Sequence, residues 1–164
     1  MDSRDATVPD SNERRAELRV RPFGYVEDEA IIRSVGDRDL YLGNKFAAVP
    51  ERHTEEFDYV LSATEQSYPL TTHHHPLIDG AGNEWGEFAA AVDTARLLSQ
   101  REGSVLIHCT AGISRSSTLI ATAIAAEENR RFRDALATVQ ETRPFATPNP
   151  ALYELAVVYL AAER

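Results

Sequence analysis

Val105, Leu106 and Ile107 form an uninterrupted apolar run that leads through His108 into Cys109, then into a tight turn and a long small-residue stretch starting near Arg115. A strand apolar at consecutive positions has to be covered on both faces, which places it in the middle of a sheet. After Arg115, Ser-Ser-Thr-Leu-Ile-Ala-Thr-Ala-Ile-Ala-Ala is small or apolar nearly all round, so it suits a helix packed centrally against that sheet. Most of the remaining chain must then cover this strand–turn–helix unit.

The flanking segments can be read the same way. Asp39-Leu40-Tyr41-Leu42-Gly43 and Tyr59-Val60-Leu61-Ser62-Ala63 predict two strands, and His75-Pro76-Leu77-Ile78 a weaker third that ends at the Asp79-Gly80 turn. Residues 50–57 suit a short helix with Pro50 in its first turn. Trp85, Phe88, Val92, Ala95 and Leu98 recur at helical spacing, with Asn83 as N-cap and Gly103 as the stop. Phe132, Leu136 and Val139 mark another helix. Leu152, Leu155 and Tyr159 mark the last, with Asn149 as N-cap and Pro150 at its first position. Residues 19–26 could be extended. Residues 1–18 lack apolar periodicity and are expected to be a disordered tail. The fold class predicted is α/β: one domain over residues 19–164, an α/β/α sandwich with a mostly parallel central sheet.

Composition narrows the function. The chain has 164 residues, 26 acidic against 17 basic, and a formal net charge of −9. An acidic surface repels nucleic acid and anionic membranes, so neither is an expected partner. No run of about eighteen apolar residues and no leader pattern is present, which fits a soluble, cytoplasmic protein. Lys45 is the sole lysine. Acid excess with so little lysine fits a high-salt habitat and equally a GC-rich genome. With Cys109 as the single cysteine, there is no intrachain disulfide and no multi-thiolate metal site. His73, His74 and His75 lack carboxylates or thiolates at ligand spacing and read as solvated strand-edge residues, so no metal or cofactor is expected.

The turn itself carries chemistry. His108-Cys109-Thr110-Ala111-Gly112-Ile113-Ser114-Arg115-Ser116 lies between a buried strand and a helix start, where free backbone N–H groups and the positive dipole end favour a phosphate dianion. Gly112 lets the chain curl so that successive amides point inward. Arg115 can reach round the loop and offer a planar fork to two phosphoryl oxygens. The same donors stabilise a thiolate, so Cys109 is expected to be a ready nucleophile.

His-Cys-x-x-Gly-x-x-Arg-Ser resembles the signature of the protein tyrosine phosphatase superfamily, and the chain looks most like its small dual-specificity branch over about residues 38–160. Leu40-Tyr41-Leu42-Gly43, Val60-Leu61-Ser62-Ala63-Thr64, and Arg143-Pro144 followed by Pro148-Asn149 extend the resemblance. It implies that Cys109 attacks phosphorus to give a cysteinyl-phosphate, which water then hydrolyses. Arg115 and the amides of Thr110, Ala111, Gly112, Ile113, Ser114 and Arg115 would hold the phosphoryl oxygens. Ser116 would stabilise the departing thiolate, though it is also an ordinary first-turn residue. His108 would orient the loop. Asn149 would steady the loop, or simply cap its helix.

A general acid is still needed to protonate the leaving oxygen. By the family's spacing it is Asp79, in a glycine-rich loop after the third strand, although Asp-Gly also makes plain turns and Glu84, Glu87 and Asp93 compete. Loop positions Thr110, Ala111, Ile113 and Ser114 are neutral, whereas relatives acting on polyphosphates or phosphoinositides add lysines there. The expected substrate is therefore a phosphorylated protein, carrying phosphotyrosine and in second place phosphoserine or phosphothreonine, and the enzyme is expected to be a monomer. A phosphorylated metabolite or glycan is the alternative substrate. Outside phosphatases, a non-catalytic phosphate-binding module is an alternative. A sulfurtransferase or an arsenate reductase is another, although the latter generally needs further thiols.

Overall fold

The structure is a computed structural model that describes residues 26–163. The tail expected over residues 1–18, and the extended segment expected over 19–26 apart from its last residue, lie outside the described residues. Within them, strands β1 (Ile32–Ser34), β2 (Leu40–Gly43), β3 (Tyr59–Ser62), β4 (His73–His74) and β5 (Val105–His108) form one sheet in the order β1-β2-β5-β3-β4. β1 runs antiparallel to β2, and the other pairings are parallel. β5 lies between β2 and β3 with all of its residues buried, as its unbroken apolar run requires.

Alternation along β5 divides the core. Val105 and Ile107 join Leu40, Leu42 and Leu61 beneath four helices: α1 (Trp85–Gln100), α2 (Arg115–Glu128), α3 (Phe132–Thr142) and α4 (Pro150–Ala162). Leu106 faces the opposite side with Val60, Ala47 and Ala48, where Phe57, Tyr68 and Leu70 pack over them. Two 3-10 turns, Lys45–Ala48 and Pro50–Arg52, are the helical elements of that second face among the described residues. α2 is buried at every position from Ser116 to Ala125, in keeping with its small-residue sequence, and packs between α1, α3 and α4. Each fully buried Leu or Ile here stabilises the fold by roughly 1.5–3 kcal/mol.

Three local expectations are corrected. The helix expected over residues 50–57 stops at Arg52, because His53 returns to extended backbone and its Nδ1 takes the Glu55 N–H at 3.0 Å. The third strand is His73–His74 rather than residues 75–78. His75 N–H and Leu77 N–H still donate to Ser62 O and Ala63 O, but β3 itself ends at Ser62, opposite His74, so the paired strand ends there. The N-cap of α1 is Glu84, not Asn83, and Trp85 at the head of the predicted stripe is 42% exposed. The three adjacent histidines are edge residues, but each ring has a bond: His73 to Thr72 Oγ1, His74 to Thr64 O and His75 to Thr94 Oγ1. Among the described residues no group of His, Cys, Asp or Glu is arranged to hold a metal ion, and no helix is long and apolar enough to cross a membrane.

Candidate active site

β5 ends at His108 and α2 begins at Arg115, so the intervening loop sits at the C-terminal edge of the parallel strands. Cys109 is 2% exposed and is a free thiol. Its Sγ lies 3.2 Å from Ser116 Oγ, and the Ser116 N–H donates to the sulfur at 3.4 Å. The first turn of α2 thus touches the sulfur through both groups of one residue.

The loop carbonyls are tied down on the outside. Thr110 O accepts from Lys45 N–H (3.0 Å), Ala111 O and Gly112 O from the Arg143 guanidinium (3.0 and 3.1 Å), and Ile113 O from Thr147 N–H (2.8 Å) and Ser117 Oγ (2.6 Å). A trans peptide plane points its C=O and the next N–H in opposite directions. Fixing these four carbonyls outward therefore turns the amides of Ala111, Gly112, Ile113 and Ser114 inward, making a concave ring of donors suited to an oxyanion. Gly112 has φ 70, and a Cβ there would stand 3.0 Å from Gly43 O, so both conformation and space require glycine.

Arg115 is half-buried and is held by neutral acceptors from three segments around the loop. Nη1 donates to Leu77 O (3.2 Å) and Ala63 O (3.4 Å), and Nη2 to Thr110 Oγ1 (3.0 Å). Its Nε is buried without a hydrogen-bond partner among the described residues. A buried donor left in this state costs roughly 1–3 kcal/mol, a cost that an anion in the loop would offset.

His108 is fully buried beneath the loop. Nδ1 faces Cys109 O at 3.4 Å, so it carries the proton, and Nε2 accepts from Ser62 Oγ at 2.6 Å. Ser62 Oγ accepts in turn from Thr71 Oγ1 (2.6 Å), which accepts from Tyr68 N–H (2.8 Å). The chain of bonds is satisfied in one direction with a neutral imidazole. Burial, with smaller contributions from the charges of Arg115 and His74, pushes the His108 pKa down to about 4, against the opposing bond to Cys109 O.

Asp79 lies in the exposed loop after β4. Leu77, two residues earlier, is bonded to Arg115, while Asp79 O accepts from Asn149 Nδ2 at 3.4 Å. Asn83, freed from capping, closes this loop instead: its Oδ1 takes the Ile78 N–H and its Nδ2 reaches Ile78 O, both at 2.8 Å, and Gly80 O at 3.3 Å. Asn149 is the N-cap of α4, and its contact with the signature loop is made by its backbone, not its side chain. Oδ1 caps α4 through Ala151 N–H, its backbone N–H donates to Ser114 Oγ at 2.8 Å, and its amide reaches the Asp79 loop. Of the competing acids, Asp93 is engaged by Tyr159 Oη at 2.5 Å on the flank of α1, and Glu84 and Glu87 sit at the start of that helix.

Residues 40–159 match the family described as "Dual specificity phosphatase, catalytic domain". The chain belongs to this family. Human dual specificity protein phosphatase 15 is 44% identical over 118 residues, covering 68% of this chain and 40% of that protein. MAP kinase phosphatase with leucine-rich repeats protein 3 of Dictyostelium discoideum is 40% identical over 62 residues, 38% of this chain and 7% of its own length. The chain thus spans less than half of these relatives. Crystal structures of human DUSP28 (TM-score 0.71, 18% identity, 84% of this chain and 98% of that one) and of a mouse putative dual specificity phosphatase complexed with zinc tungstate (TM-score 0.66, 19% identity, 86% and 94%) have the same fold.

The family motif accounts for the ring of amides but not for everything that holds it. Asn44 is fully buried, with Oδ1 accepting from Ile31 N–H (3.0 Å) and Nδ2 donating to Glu29 O (2.8 Å), which fixes the turn that Gly112 packs against. Its only advance signal was an asparagine directly after the Leu-Tyr-Leu-Gly strand. Arg143 had only its place before Pro144. Ser62 and Thr71 read as ordinary strand and loop residues, because the ring at the end of their bond chain, His108, lies far along the sequence.

Proposed function

We propose that this dual-specificity phosphatase domain is a cysteine-dependent phosphatase of phosphorylated proteins, hydrolysing phosphotyrosine and, as a second class, phosphoserine and phosphothreonine monoesters. The observation that carries the reading is Cys109 Sγ in contact with the Ser116 N–H and hydroxyl at the start of α2, on a loop whose carbonyls are fixed outward and which also carries the buried, unpartnered Arg115 Nε. In this mechanism Cys109 attacks phosphorus as the thiolate, its proton having gone to solvent, and the P–O bond to the leaving group breaks, its oxygen taking a proton from Asp79. The amides and Arg115 bear the charge on the phosphoryl oxygens, an arrangement in which a single donor is worth about 10²–10³ in rate. Water, deprotonated by Asp79, then attacks the cysteinyl-phosphate, and Ser116 Oγ–H stabilises the thiolate that departs. His108 stays neutral and acts through the backbone of Cys109.

Thr110, Ala111, Ile113 and Ser114 add no cation to the loop, so the loop fits a single phosphoryl group better than a polyphosphate. Hydrolysis of an aryl phosphate by the wild type, abolished in Cys109→Ser, tests the chemistry. A phosphopeptide panel run with wild type and an Asp79→Ala trapping variant tests the substrate class. No turnover of any phosphoester with retained phosphopeptide binding would replace this reading by a phosphate-binding module. Turnover confined to small non-peptide phosphates would move the substrate to a metabolite or glycan.

A further inference from the structure

Arg143 is a buried cation that the motif does not explain. Its side chain is 4% exposed, and it pairs with Glu27, itself 14% exposed, at 3.0 Å. Burying a guanidinium is costly unless its donors are all used in good geometry. Here the planar fork puts Nε on Gly112 O at 3.1 Å and Nη2 on Ala111 O at 3.0 Å, so two successive loop carbonyls share one rigid group. Those carbonyls belong to the peptide units whose N–H groups are those of Gly112 and Ile113. A cation on the carbonyl side both fixes each peptide plane and draws electron density from its N–H, strengthening the donor on the far face. Arg115 acts on the phosphate side of the loop, and Arg143 acts from behind.

We infer that Arg143 is a positioning residue that locks and polarises the Gly112 and Ile113 amides, and that Glu27 holds it in place. This inference rests on the phosphatase reading for its effect on turnover, but not for its effect on anion binding. Glu27 precedes β1, more than a hundred residues before its partner in sequence, so the pair ties the chain leading into the domain to the catalytic loop. A lysine at position 143 could reach one carbonyl but not both in the same plane, so the fork is required.

The test compares wild type, Arg143→Met, Arg143→Lys, Glu27→Gln and the double variant. A control, Phe132→Leu, removes an aromatic contact with Tyr153 remote from the loop. The readouts are the vanadate dissociation constant by calorimetry, kcat and KM for an aryl phosphate, and the urea midpoint. Arg143→Met is expected to weaken vanadate binding and lower kcat by about 10²-fold, in the range of a lost oxyanion donor. Arg143→Lys should recover part of both. Glu27→Gln should shift both in the same direction by about tenfold or less, and the double variant should be no worse than Arg143→Met alone, as coupled partners require. Phe132→Leu should lower the midpoint and leave vanadate affinity at the wild-type level. Vanadate affinity and kcat within about twofold of wild type in folded Arg143→Met would overturn the inference. If that variant does not fold, wild-type vanadate affinity in Glu27→Gln overturns it. A wild type that binds vanadate but hydrolyses nothing would refute the phosphatase reading alone, and the vanadate comparison would still decide the role of Arg143.

Discussion

His108 should make the fold lose stability over a defined pH window. Burial is the largest cause of its lowered pKa, and the value of about 4 compares with 6.5 for a free imidazole. Above pH 6.5 the ring is neutral in both states and its contribution is complete. As pH falls from 6.5 toward 4, the unfolded chain takes up a proton that the folded protein refuses, so stability falls with a slope of up to about 1.4 kcal/mol per pH unit. By pH 5 the loss attributable to this group is about 2 kcal/mol, and below pH 4 it levels off near 3 kcal/mol. Carboxylates titrate in the same range, so the measurement has to be a difference. Urea unfolding of wild type and His108→Gln at pH 7 and pH 5 supplies it, since glutamine can replace Nε2 toward Ser62 but cannot titrate. The stability gap between the two proteins should shrink by about 2 kcal/mol from pH 7 to pH 5. A change below about 0.5 kcal/mol would mean that the ring is hydrated or already protonated in the fold, and the one-directional bond chain through Ser62 and Thr71 would be wrong.

Three further outcomes follow from the loop. Gly112→Ala should cost about 2–3 kcal/mol, part from left-handed backbone and part from a Cβ pressed on Gly43 O, and lower the melting temperature by about 4–10 °C. Calorimetry showing no shift would mean that the loop can take another conformation. Asp79→Asn should lower turnover of esters with poor leaving groups by about 10²-fold or more and leave an activated aryl phosphate little changed. Equal small effects on both would move the acid to Glu84 or Glu87. Ser116→Ala should slow the second step by about ten- to a hundredfold, the worth of a hydrogen bond to a charged group, and reveal a stoichiometric burst of leaving group. A steady rate with no burst would leave Ser116 as a first-turn residue only.

The parts of this site legible in sequence are those where one residue's own requirement appears in its own neighbourhood. β5 could be placed centrally because three consecutive apolar residues need two covered faces, and Gly112 could be placed in the turn because few other residues accept its backbone. β propensity favours Leu77-Ile78 and so reads the third strand two residues late, while pairing is decided by the extent of its partner, and β3 ends at Ser62, opposite His74. Asn83 reads as a cap because asparagine caps helices, and its competing use, closing a loop on Ile78, has no local spacing that distinguishes it.

The support of the catalytic loop was illegible for a deeper reason. The groups being held are backbone carbonyls, which every residue has, so nothing at positions 110–113 specifies the partners. Lys45 acts through its N–H, Thr147 likewise, and of the groups that hold these carbonyls Arg143 and Ser117 act through their side chains. A sequence pattern can record side chains that meet phosphate, but it records poorly the outer half of the same peptide planes. Yet those outer bonds decide which way the inner donors face before any substrate arrives, and preorganised donors avoid reorganisation at the moment of reaction. Variation at 27, 44 or 143 should therefore alter catalysis while leaving every letter of the motif intact, and relatives with identical loops need not have equally competent ones.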